Sequence, residues 1–466
     1  MIARNLRLLS AGTALFLIEL VLLVAAWPLA AALALSPLPP DRRAGILPLA
    51  LFVAFYLLFA YATGLYRREA LLETRRSLGR VPIAAGLGAL VAAAPAAFLP
   101  SPFAAEGSAT LFAAALILFS LVGWAARVLV FTLIDRGAFR RRILVIGAGE
   151  RAWELAFLLR REGRAVGMEI TFVHHPALGR IDPRLAQERD ARIVTTENGF
   201  VAIAREIDAD QVVVAPDERR GMPMAALLAC RTGGFPVYEF QRFLEKEIGR
   251  VDMKRLDYSW LLYADGFTFT AVDLFLKRTL DIVVSTIVLF LTLPILAGAA
   301  IAIKLEDGGP ILYRQARVTK DGRVFKILKL RTMRQDAERA GAMWAQKGDP
   351  RVTRIGRFLR RMRIDELPQL VNILKGDMSF VGPRPERPEF VKDLAEKLPL
   401  YNERHLVRAG LTGWAQINYP YGASLDDARS KLSYDLFYVK NFSVLFDVLI
   451  IIQTLRVVLW PGGSVR

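Results

Sequence analysis

Two adjacent carboxylates, Asp365 and Glu366, follow an arginine-rich segment in the C-terminal third of the chain. That segment contains Arg351, Arg354, Arg357, Arg360, Arg361 and Arg363. Nearby arginines favour the ionised form of a carboxylate, and a helix N-terminus flanked by arginine is suited to a diphosphate. An ionised Asp365 beside a bound diphosphate could attack phosphorus, or hold a divalent cation that neutralises it. The alternative is ordinary helix capping, with Asp365 as the N-cap and Glu366 in the first turn.

Two glycine-containing loops that follow this pair also have the composition of phosphate sites. Residues 375–386 include Gly382 and two prolines, which stiffen a loop that presents Arg384. A planar guanidinium on a rigid loop suits phosphate oxygens. Residues 408–418 form a glycine-rich turn whose backbone amides could face an anion. A structural turn with a surface arginine and a plain tight turn are the respective alternatives.

The local elements that must position these residues can be predicted from residue periodicity. An apolar stripe within the arginine-rich segment predicts a helix that lies on anionic lipid. The stripe consists of Ile355, Phe358, Leu359 and Met362. We expect a second helix directly after it, with Asp365 as its cap and Pro368 in its first turn. Upstream, residues 318–325 around Asp321 predict a β-hairpin.

Four long apolar stretches at the start of the chain predict a membrane bundle, because each is long enough to span a bilayer as a helix. They run approximately from Leu9 to Leu35, Ile46 to Leu65, Val81 to Leu99 and Thr110 to Ile134. Basic residues lie at both ends of the bundle and in the loop between its second and third spans. The positive-inside rule therefore places both ends of the bundle in the cytoplasm. These residues are Arg4, Arg7, Arg67, Arg68, Arg75, Arg76, Arg80, Arg136, Arg140, Arg141 and Arg142. Arg42 and Arg43, between the first and second spans, are exceptions to this charge distribution.

A fifth apolar stretch, residues 274–303, is interrupted by Pro294 and has basic residues on both sides. Charge on both flanks favours placing both ends on the cytoplasmic side, and a proline within a helix permits a bend there. The pattern therefore favours a re-entrant membrane helix with its bend at Pro294. The alternative, an ordinary fifth span, would place the basic C-terminal region away from cytoplasmic nucleotide substrates.

Between these membrane regions, apolar strands alternate with helices, which predicts a parallel, Rossmann-like α/β sheet. The predicted strands are residues 143–146, 170–173, 192–195, 211–214 and 236–240. The first turn contains Gly147 and Gly149 in a GxGxxA pattern, the position of a dinucleotide phosphate site. The acidic residue expected at the end of the second strand is replaced by His174 and His175. Gly147 and Gly149 are therefore weak cofactor candidates, a packing turn is at least equally favoured, and NAD is not predicted.

The composition is consistent with a membrane protein that handles anions. The chain has 466 residues, 54% of them hydrophobic, and a formal net charge of +17. This charge fits anionic lipid, phosphorylated substrates or nucleic acid. A single cysteine excludes a disulfide framework and a cysteine metal cage, and three histidines leave few ligands for zinc. We therefore expect chemistry based on carboxylates, arginine and lysine.

From about Asp273 to the C-terminus, five motifs resemble, in order, those of the bacterial sugar transferase family. The family comprises monotopic polyprenyl-phosphate hexose-1-phosphate transferases, and the preceding spans and Rossmann-like domain resemble its large, exopolysaccharide-type members. The motifs are Lys277-Arg-Thr-Leu-Asp281, Lys329-Leu-Arg-Thr-Met333, Asp365-Glu-Leu-Pro-Gln369, Gly376-Asp-Met-Ser-Phe-Val-Gly-Pro-Arg-Pro385 and Gly410-Leu-Thr-Gly-Trp-Ala-Gln416. Leu293 replaces the serine that often precedes the bend proline, which puts a serine-specific contact in doubt. Ala409 replaces the proline that usually begins the last motif.

The resemblance implies a two-step reaction. Asp365 attacks the sugar-linked phosphate of a UDP-sugar and releases UMP, and polyprenyl phosphate then takes the sugar phosphate from the enzyme. Glu366 assists as a base or by positioning the acceptor, and Mg²⁺ is held at Asp365. The implied substrate contacts are Lys329, Arg331, Arg360 and Arg384 at phosphate, and Thr412 and Gly413 at the nucleotide. The implied partners are UDP-sugar, polyprenyl phosphate, membrane lipid, a second copy of the chain and downstream glycosyltransferases, with no nucleic acid.

The expected fold is a membrane protein with a four-helix bundle, a Rossmann-like α/β domain and a mainly α catalytic domain that carries the re-entrant helix. The expected boundaries are 1–140 for the bundle, 141–250 for the α/β domain, 251–272 for a linker, 273–304 for the re-entrant helix and 305–466 for the catalytic domain. The resemblance implies the bacterial inner membrane, with catalysis on the cytoplasmic face. The rival hypotheses are an inactive scaffold or nucleotide sensor and a membrane-tethered oxidoreductase. No motif identifies the sugar.

Overall fold

The structure is a computed structural model in which the chain divides into two compact units, Met1–Ile248 and Gly249–Arg466. It describes residues 11–33, 42–66, 70–71, 77–98, 108–165, 167–187, 191–196, 199–218, 220–253, 266–334, 349–419, 422 and 424–459. Several predicted features lie outside the described residues, namely the basic flanks at Arg4, Arg7, Arg67, Arg68, Arg75 and Arg76 and most of the predicted linker, residues 254–265.

In the described N-terminal part of the first unit lie four apolar helices, which coincide with the four predicted stretches. They are α1 (Ala11–Leu33), α2 (Arg42–Ala62), α3 (Val81–Phe98) and α4 (Ser108–Asp135). By length and composition, described parts of α1 and α4 could cross a membrane, and the described apolar segments of α2 and α3 are Ala50–Ala62 and Val81–Ala92. Helix α1 packs on α4, and α2 packs on α3. These helices identify the chain as membrane-associated.

A buried ion pair joins the first and last helices of this bundle. Glu19 of α1 is fully buried and pairs with Arg127 of α4. The hydroxyl groups of Tyr56 and Tyr66 also donate to the Glu19 carboxylate. A charged pair inside an apolar bundle is stable only when its partners and hydrogen bonds are in place.

The second half of this unit is an α/β domain with a five-stranded sheet. Its strands are β1 (Arg141–Ile146), β2 (Met168–His174), β3 (Arg192–Thr195), β4 (Gln211–Val214) and β5 (Val237–Glu239). All neighbouring strands are parallel, in the order β3-β2-β1-β4-β5. The predicted parallel sheet is therefore confirmed.

Helices cover both faces of this sheet. They are α5 (Glu150–Arg161), α6 (Pro183–Ala186), α7 (Phe200–Glu206), α8 (Met224–Thr232) and α9 (Phe240–Ile248). Alternate residues of β1 point to opposite faces, so that Val145 packs in the core with α5 and α9, and Leu144 packs in the core with α7 and α8. Burial on both faces explains why the strands are apolar runs rather than alternating sequences.

The first described helix of the second unit is the long helix α10 (Ala271–Asp307). Thr270 and Asp273 form a capping box at its start, and Gly308 ends it with a left-handed φ of 68°. Helix α10 runs through Pro294, and it is long and apolar enough to cross a membrane.

Among the described residues after α10, the chain forms a hairpin, a two-stranded parallel sheet and six helices. The strands are β6 (Leu312–Val318), β7 (Val324–Leu330), β8 (Ser379–Val381) and β9 (Gly410–Thr412). The helices are α11 (Arg354–Arg361), α12 (Gln369–Lys375), α13 (Pro388–Lys397), α14 (Trp414–Asn418), α15 (Leu425–Lys440) and α16 (Val444–Leu459). The antiparallel pairing of β6 with β7 confirms the predicted hairpin. One core joins β7, α12, β8, α15 and α16 through residues such as Ile327, Leu370 and Val381.

Candidate active site

A sharp reversal of the chain presents Asp365 and Glu366. Helix α11 ends at Arg361, and Arg363 then takes a left-handed conformation with φ 60° and ψ 14°. One short 3-10 turn, Ile364–Glu366, follows before α12 begins at Gln369. A non-glycine residue in this conformation is strained and commonly marks a functional site.

The predicted helix cap at Asp365 is wrong. Pro368 takes the N-cap position of α12, and no side chain caps either that helix or the preceding 3-10 turn. The reversal at Arg363 places Asp365 inside the 3-10 turn, several residues before the first amides of α12. The Asp365 carboxylate is therefore not committed to capping.

Both carboxylates line a cavity of about 1550 Å³ in the second unit. The predicted substrate contacts Lys329, Arg331, Arg360, Arg384 and Thr412 also line it, whereas Gly413 is not among its lining residues. Additional basic side chains around the cavity include Arg314, Arg317, Arg334, Arg351, Arg363, Arg387, Arg404 and Lys431. Such an excess of positive charge suits an anionic ligand.

Glu366 is held between two cationic side chains. Its Oε1 atom accepts hydrogen bonds from Lys329 Nζ at 3.0 Å and from Arg384 Nη2 at 2.9 Å. Burial alone would raise the pKa of Glu366, but the charges of Arg384 and Lys329 outweigh it and hold the pKa far below its usual range. The same burial lowers the pKa of Lys329, and the charge of Glu366 opposes that change. Glu366 is therefore ionised and anchored.

Asp365 has a different environment from its neighbour. It is 9% exposed, and no described residue is hydrogen-bonded to its carboxylate. Burial raises the pKa of Asp365, and the negative charge of Glu366 adds to this, against the positive charges of Lys329 and Arg360. A carboxylate whose lone pairs are free of hydrogen bonds from described residues is available to react with a ligand.

Arg384 connects this pair to the glycine-rich turn. Its Nη1 atom donates to Gln416 Oε1 at 3.0 Å, while its Nη2 atom donates to Glu366. Gly413 adjoins the same loop, since a Cβ atom at this position would lie 2.1 Å from the carbonyl oxygen of Gly382. Close approach of the two loops therefore requires glycine at position 413. Thr412 Oγ1 lies 2.7 Å from Thr454 Oγ1.

Arg360 and Arg331 have partners of their own. Arg360 Nε donates to Thr332 Oγ1 at 2.8 Å, and its charge acts on Asp365 across the cavity. Arg331 forms an ion pair with Asp307 and donates to the carbonyl oxygen of Pro310 at 2.7 Å. In this arrangement Arg331 fastens the end of α10 to the hairpin.

A buried polar cluster that the sequence did not predict lies behind Arg384. Arg404 Nη2 donates to Asp435 Oδ2 at 2.7 Å and to the carbonyl oxygen of Arg384 at 3.0 Å, and Arg404 Nη1 donates to Tyr401 Oη at 2.8 Å. Arg404 therefore fixes the backbone of the residue that holds Glu366. No sequence pattern pointed to Arg404, because its partner Asp435 lies in another helix.

The glycine turn of the α/β domain is occupied by a side chain of the same domain. Asp217 accepts from the backbone amides of Glu150 and Arg151, both at 2.8 Å, at the N-terminus of α5. A Cβ atom at Gly149 would lie 1.9 Å from Asp217 Oδ2, and one at Gly147 would lie 2.3 Å from the carbonyl oxygen of Ala215. The carboxylate takes the position of a phosphate at the helix N-terminus. The geometry therefore favours the packing interpretation of this turn over a cofactor site.

The part of the chain that contains this site is similar to known proteins. The family described as bacterial sugar transferase matches residues 272–461. An N-acetylgalactosaminephosphotransferase of Aeromonas hydrophila, named for UDP-N-acetylgalactosamine and undecaprenyl phosphate, is 42% identical over 55% of this chain and 60% of its own length. The UDP-glucose:undecaprenyl-phosphate glucose-1-phosphate transferase of Caulobacter vibrioides is 44% identical over 40% of this chain and 69% of its own length.

A third relative is matched over nearly its whole length. The exopolysaccharide production protein PSS of Rhizobium leguminosarum is 42% identical over 39% of this chain and 94% of its own length. The chain thus spans 60% of the Aeromonas relative but nearly all of the Rhizobium one. Because identity and coverage are both high and the family match includes Asp365 and Glu366, the chain belongs to the bacterial sugar transferase family.

Proposed function

We propose that this protein transfers a sugar 1-phosphate from a UDP-sugar to polyprenyl phosphate and releases UMP, which begins the assembly of an exopolysaccharide or O-antigen-type glycan. The names of the Aeromonas and Caulobacter relatives include undecaprenyl phosphate and a UDP-sugar. The two named sugars differ, so the proposal leaves the sugar open. The basic cavity beside an apolar helix suits two substrates of which one carries a lipid.

The observation that supports the proposal most is the difference in hydrogen bonding between the Asp365 and Glu366 carboxylates. Glu366 is bound to Lys329 and Arg384, whereas the Asp365 carboxylate accepts no hydrogen bond from described residues. One carboxylate is thus available as a nucleophile while its neighbour holds two cations in place.

In the first proposed step, an Asp365 carboxylate oxygen attacks the phosphorus that carries the sugar. A new O–P bond forms, the bond to the bridging oxygen breaks, and UMP leaves with that electron pair. In the second step, an oxygen of the polyprenyl phosphate attacks the same phosphorus, and Asp365 leaves as a carboxylate. Lys329 and Arg384 stabilise the negative charge that develops on the phosphate oxygens.

The proposed role of Glu366 is to position these two cations. A general base is most effective when its pKa is close to the working pH, and the pKa of Glu366 is held far below it. A phosphate monoester is already mostly deprotonated at neutral pH, so the acceptor requires little help from a base. These arguments favour positioning over proton abstraction.

Mg²⁺ at Asp365 is part of the same proposal. Within the described part of the chain, no group of three or more His, Cys, Asp and Glu side chains could hold a metal ion alone. Mg²⁺ is often bound by one or two carboxylates together with substrate phosphates, and the Asp365 carboxylate fits this arrangement. When bound, the ion would neutralise charge on the diphosphate.

The proposed function also requires a particular membrane topology. We infer four N-terminal spans, a re-entrant α10 and a catalytic unit on the cytoplasmic face of the bacterial inner membrane, where UDP-sugars are available. Support comes from the apolar helices and from the basic residues on both flanks of α10.

The direct test is UMP release from a panel of UDP-sugars by the full-length protein in nanodiscs with polyprenyl phosphate. We expect release with at least one sugar, its loss on chelation with EDTA and its recovery with added Mg²⁺. Asp365→Asn should abolish release, whereas Glu396→Gln, at an exposed position on α13, should not change it. If no UDP-sugar yields UMP, an inactive scaffold becomes the better interpretation.

A further inference from the structure

A buried polar network outside the proposed reaction joins α10 to strand β8. Lys277 is 7% exposed, and its Nζ atom lies 2.5 Å from Asp447 Oδ2. The same ammonium donates to the carbonyl oxygen of Val381, the last residue of β8, at 3.0 Å. Tyr438 Oη donates to the other Asp447 oxygen at 2.7 Å. A charged side chain of the membrane helix thus holds the backbone of the small sheet.

One turn further along α10, Asp281 holds the rest of the same strand. Its Oδ1 atom accepts from Ser379 Oγ and from the backbone amide of Phe380, both at 2.9 Å. Asp281 is 1% exposed. Residues four apart lie on the same face of a helix, so Lys277 and Asp281 together hold all three residues of β8.

Strand β8 leads directly into the loop that carries Arg384. Only Gly382 and Pro383 separate Val381 from Arg384. The loop is tied further to β9, because the amide of Gly382 donates to the carbonyl oxygen of Thr412 at 2.9 Å. A shift of β8 along α10 would therefore move the guanidinium that binds Glu366.

Arg278 contacts the segment that carries Glu366, the partner of Arg384 in their ion pair. Its two Nη atoms donate to the carbonyl oxygens of Ile373 and Leu374, both at 2.7 Å, at the C-terminal end of α12. Helix α12 follows the turn that contains Glu366. Neighbouring residues of α10 thus contact the segment that carries Arg384 and the segment that carries Glu366.

We propose that Lys277, Arg278 and Asp281 are positioning residues, which align the membrane helix with both halves of the Arg384–Glu366 ion pair. The inference rests on the proposed function for its kinetic readout. A buried ion pair adds little net stability over apolar side chains of the same size, but its fixed partners define one arrangement. The position of α10 relative to β8 and α12 therefore determines the geometry of the site.

The kinetic test is a double-mutant cycle between Asp281→Ala and Arg384→Lys, with UMP release as the readout. A displacement of about 1 Å at a catalytic group can cost roughly 100-fold in rate, so we expect a fall of that order for D281A in the wild-type background. In the R384K background, where the guanidinium fork is already lost, D281A should cost less than about 3-fold. Asp281→Asn retains an acceptor oxygen and should restore most of the activity.

The matched control is Asp273→Ala, which removes a carboxylate from the capping box of the same helix without touching β8. Its effects should be equal in both backgrounds. Additive losses for D281A and R384K would overturn the inference, because residues that act independently do not couple. An inactive wild-type protein would instead count against the proposed function.

A second readout is independent of activity. Hydrogen exchange at residues 379–387 should be faster in D281A than in wild type or D273A, because Asp281 binds the amide of Phe380 and anchors the loop. Exchange in D281A equal to that of the wild type would overturn the inference even in an active enzyme.

Discussion

Asp365 and Glu366 are neighbours in the sequence, yet their carboxylates have opposite surroundings. Glu366 accepts hydrogen bonds from Lys329 and Arg384, and these cations hold its pKa low. Asp365 is buried beside that negative charge, and its pKa is raised. The difference separates an anchored carboxylate from one that can react, and it has a consequence for the pH dependence of the reaction.

We predict that Glu366→Gln moves the acidic limb of the activity profile to lower pH. The proposed reaction requires ionised Asp365, so we expect wild-type activity to be lost as the pH falls through the raised pKa of Asp365. Removing the charge of Glu366 removes one cause of that raised pKa and leaves Lys329 and Arg384 unopposed, so the pKa of Asp365 falls. The measurement is the pH dependence of kcat/KM for UMP release.

The E366Q enzyme should also be slower at every pH, because Lys329 and Arg384 lose the carboxylate that binds both of them. A rate loss of about 100-fold is in the range expected for displaced catalytic groups. Glu396→Gln serves as the control for a change of net charge alone. An acidic limb that stays in place, or moves to higher pH, would show that Asp365 does not control it.

At this scale the sequence predicted the charged residues but not their contacts. Asp365, Glu366, Lys329 and Arg384 were all identified, since each lies in a short motif. The left-handed conformation of Arg363 has no sequence signal, because only tertiary packing maintains it. The contact of Arg404 with Asp435 joins distant elements, and local patterns do not report such pairs.

At the scale of elements, hydrophobic periodicity located most of the structure. The five strands of the parallel sheet were predicted to within about two residues at each end, which is the usual uncertainty of such boundaries. The N-cap of α12 was not predictable from the sequence. Aspartate is a favoured N-cap residue, but the turn at Arg363 places Asp365 in the 3-10 turn that precedes α12. The long helix α10 was predicted as an apolar segment, and its re-entrance stays a prediction.

The topology of α10 can be tested with one engineered thiol. A 37-residue helix is roughly 55 Å long, which is more than the 30 Å or so of a hydrocarbon core. Length alone therefore permits a full span. We predict that Arg323→Cys, exposed next to the hairpin turn, is cytoplasmic, because basic residues flank both ends of α10.

The experiment uses a Cys230→Ala background, since Cys230 is the one cysteine of the chain. A membrane-impermeant maleimide should label R323C in inverted vesicles but not in intact spheroplasts. Permeabilised spheroplasts provide the control for reactivity of the thiol. Labelling of intact spheroplasts would establish a fifth span in place of a re-entrant helix.

At the scale of the whole molecule, the described lining of the cavity belongs entirely to the second unit. The lining residues run from Val284 to Leu455. The segment before α10 also packs within this unit, because Trp414 Nε1 donates to the carbonyl oxygen of Gly249 at 2.7 Å and the amide of Val251 donates to that of Ser433 at 3.1 Å. The described residues of the candidate active site therefore lie in one continuous part of the sequence, residues 249–466.

We predict that residues 249–466 alone, in nanodiscs, release UMP within about 10-fold of the full-length rate, a difference of roughly 1.4 kcal/mol in activation free energy. The family match, residues 272–461, lies within this part of the chain and supports the expectation. Asp365→Asn in the shortened protein provides the background rate. A folded but inactive shortened protein would assign an essential role to residues 1–248.

In the proposed reaction, Asp365 forms a covalent bond to the sugar phosphate. The most direct measurement is mass spectrometry of the full-length protein after incubation with the active UDP-sugar and Mg²⁺ without acceptor. We predict a mass increase equal to one sugar phosphate, located on the peptide that contains Asp365, and its disappearance when polyprenyl phosphate is added. Turnover by a protein that never carries this adduct, or an adduct that persists in Asp365→Asn, would contradict it.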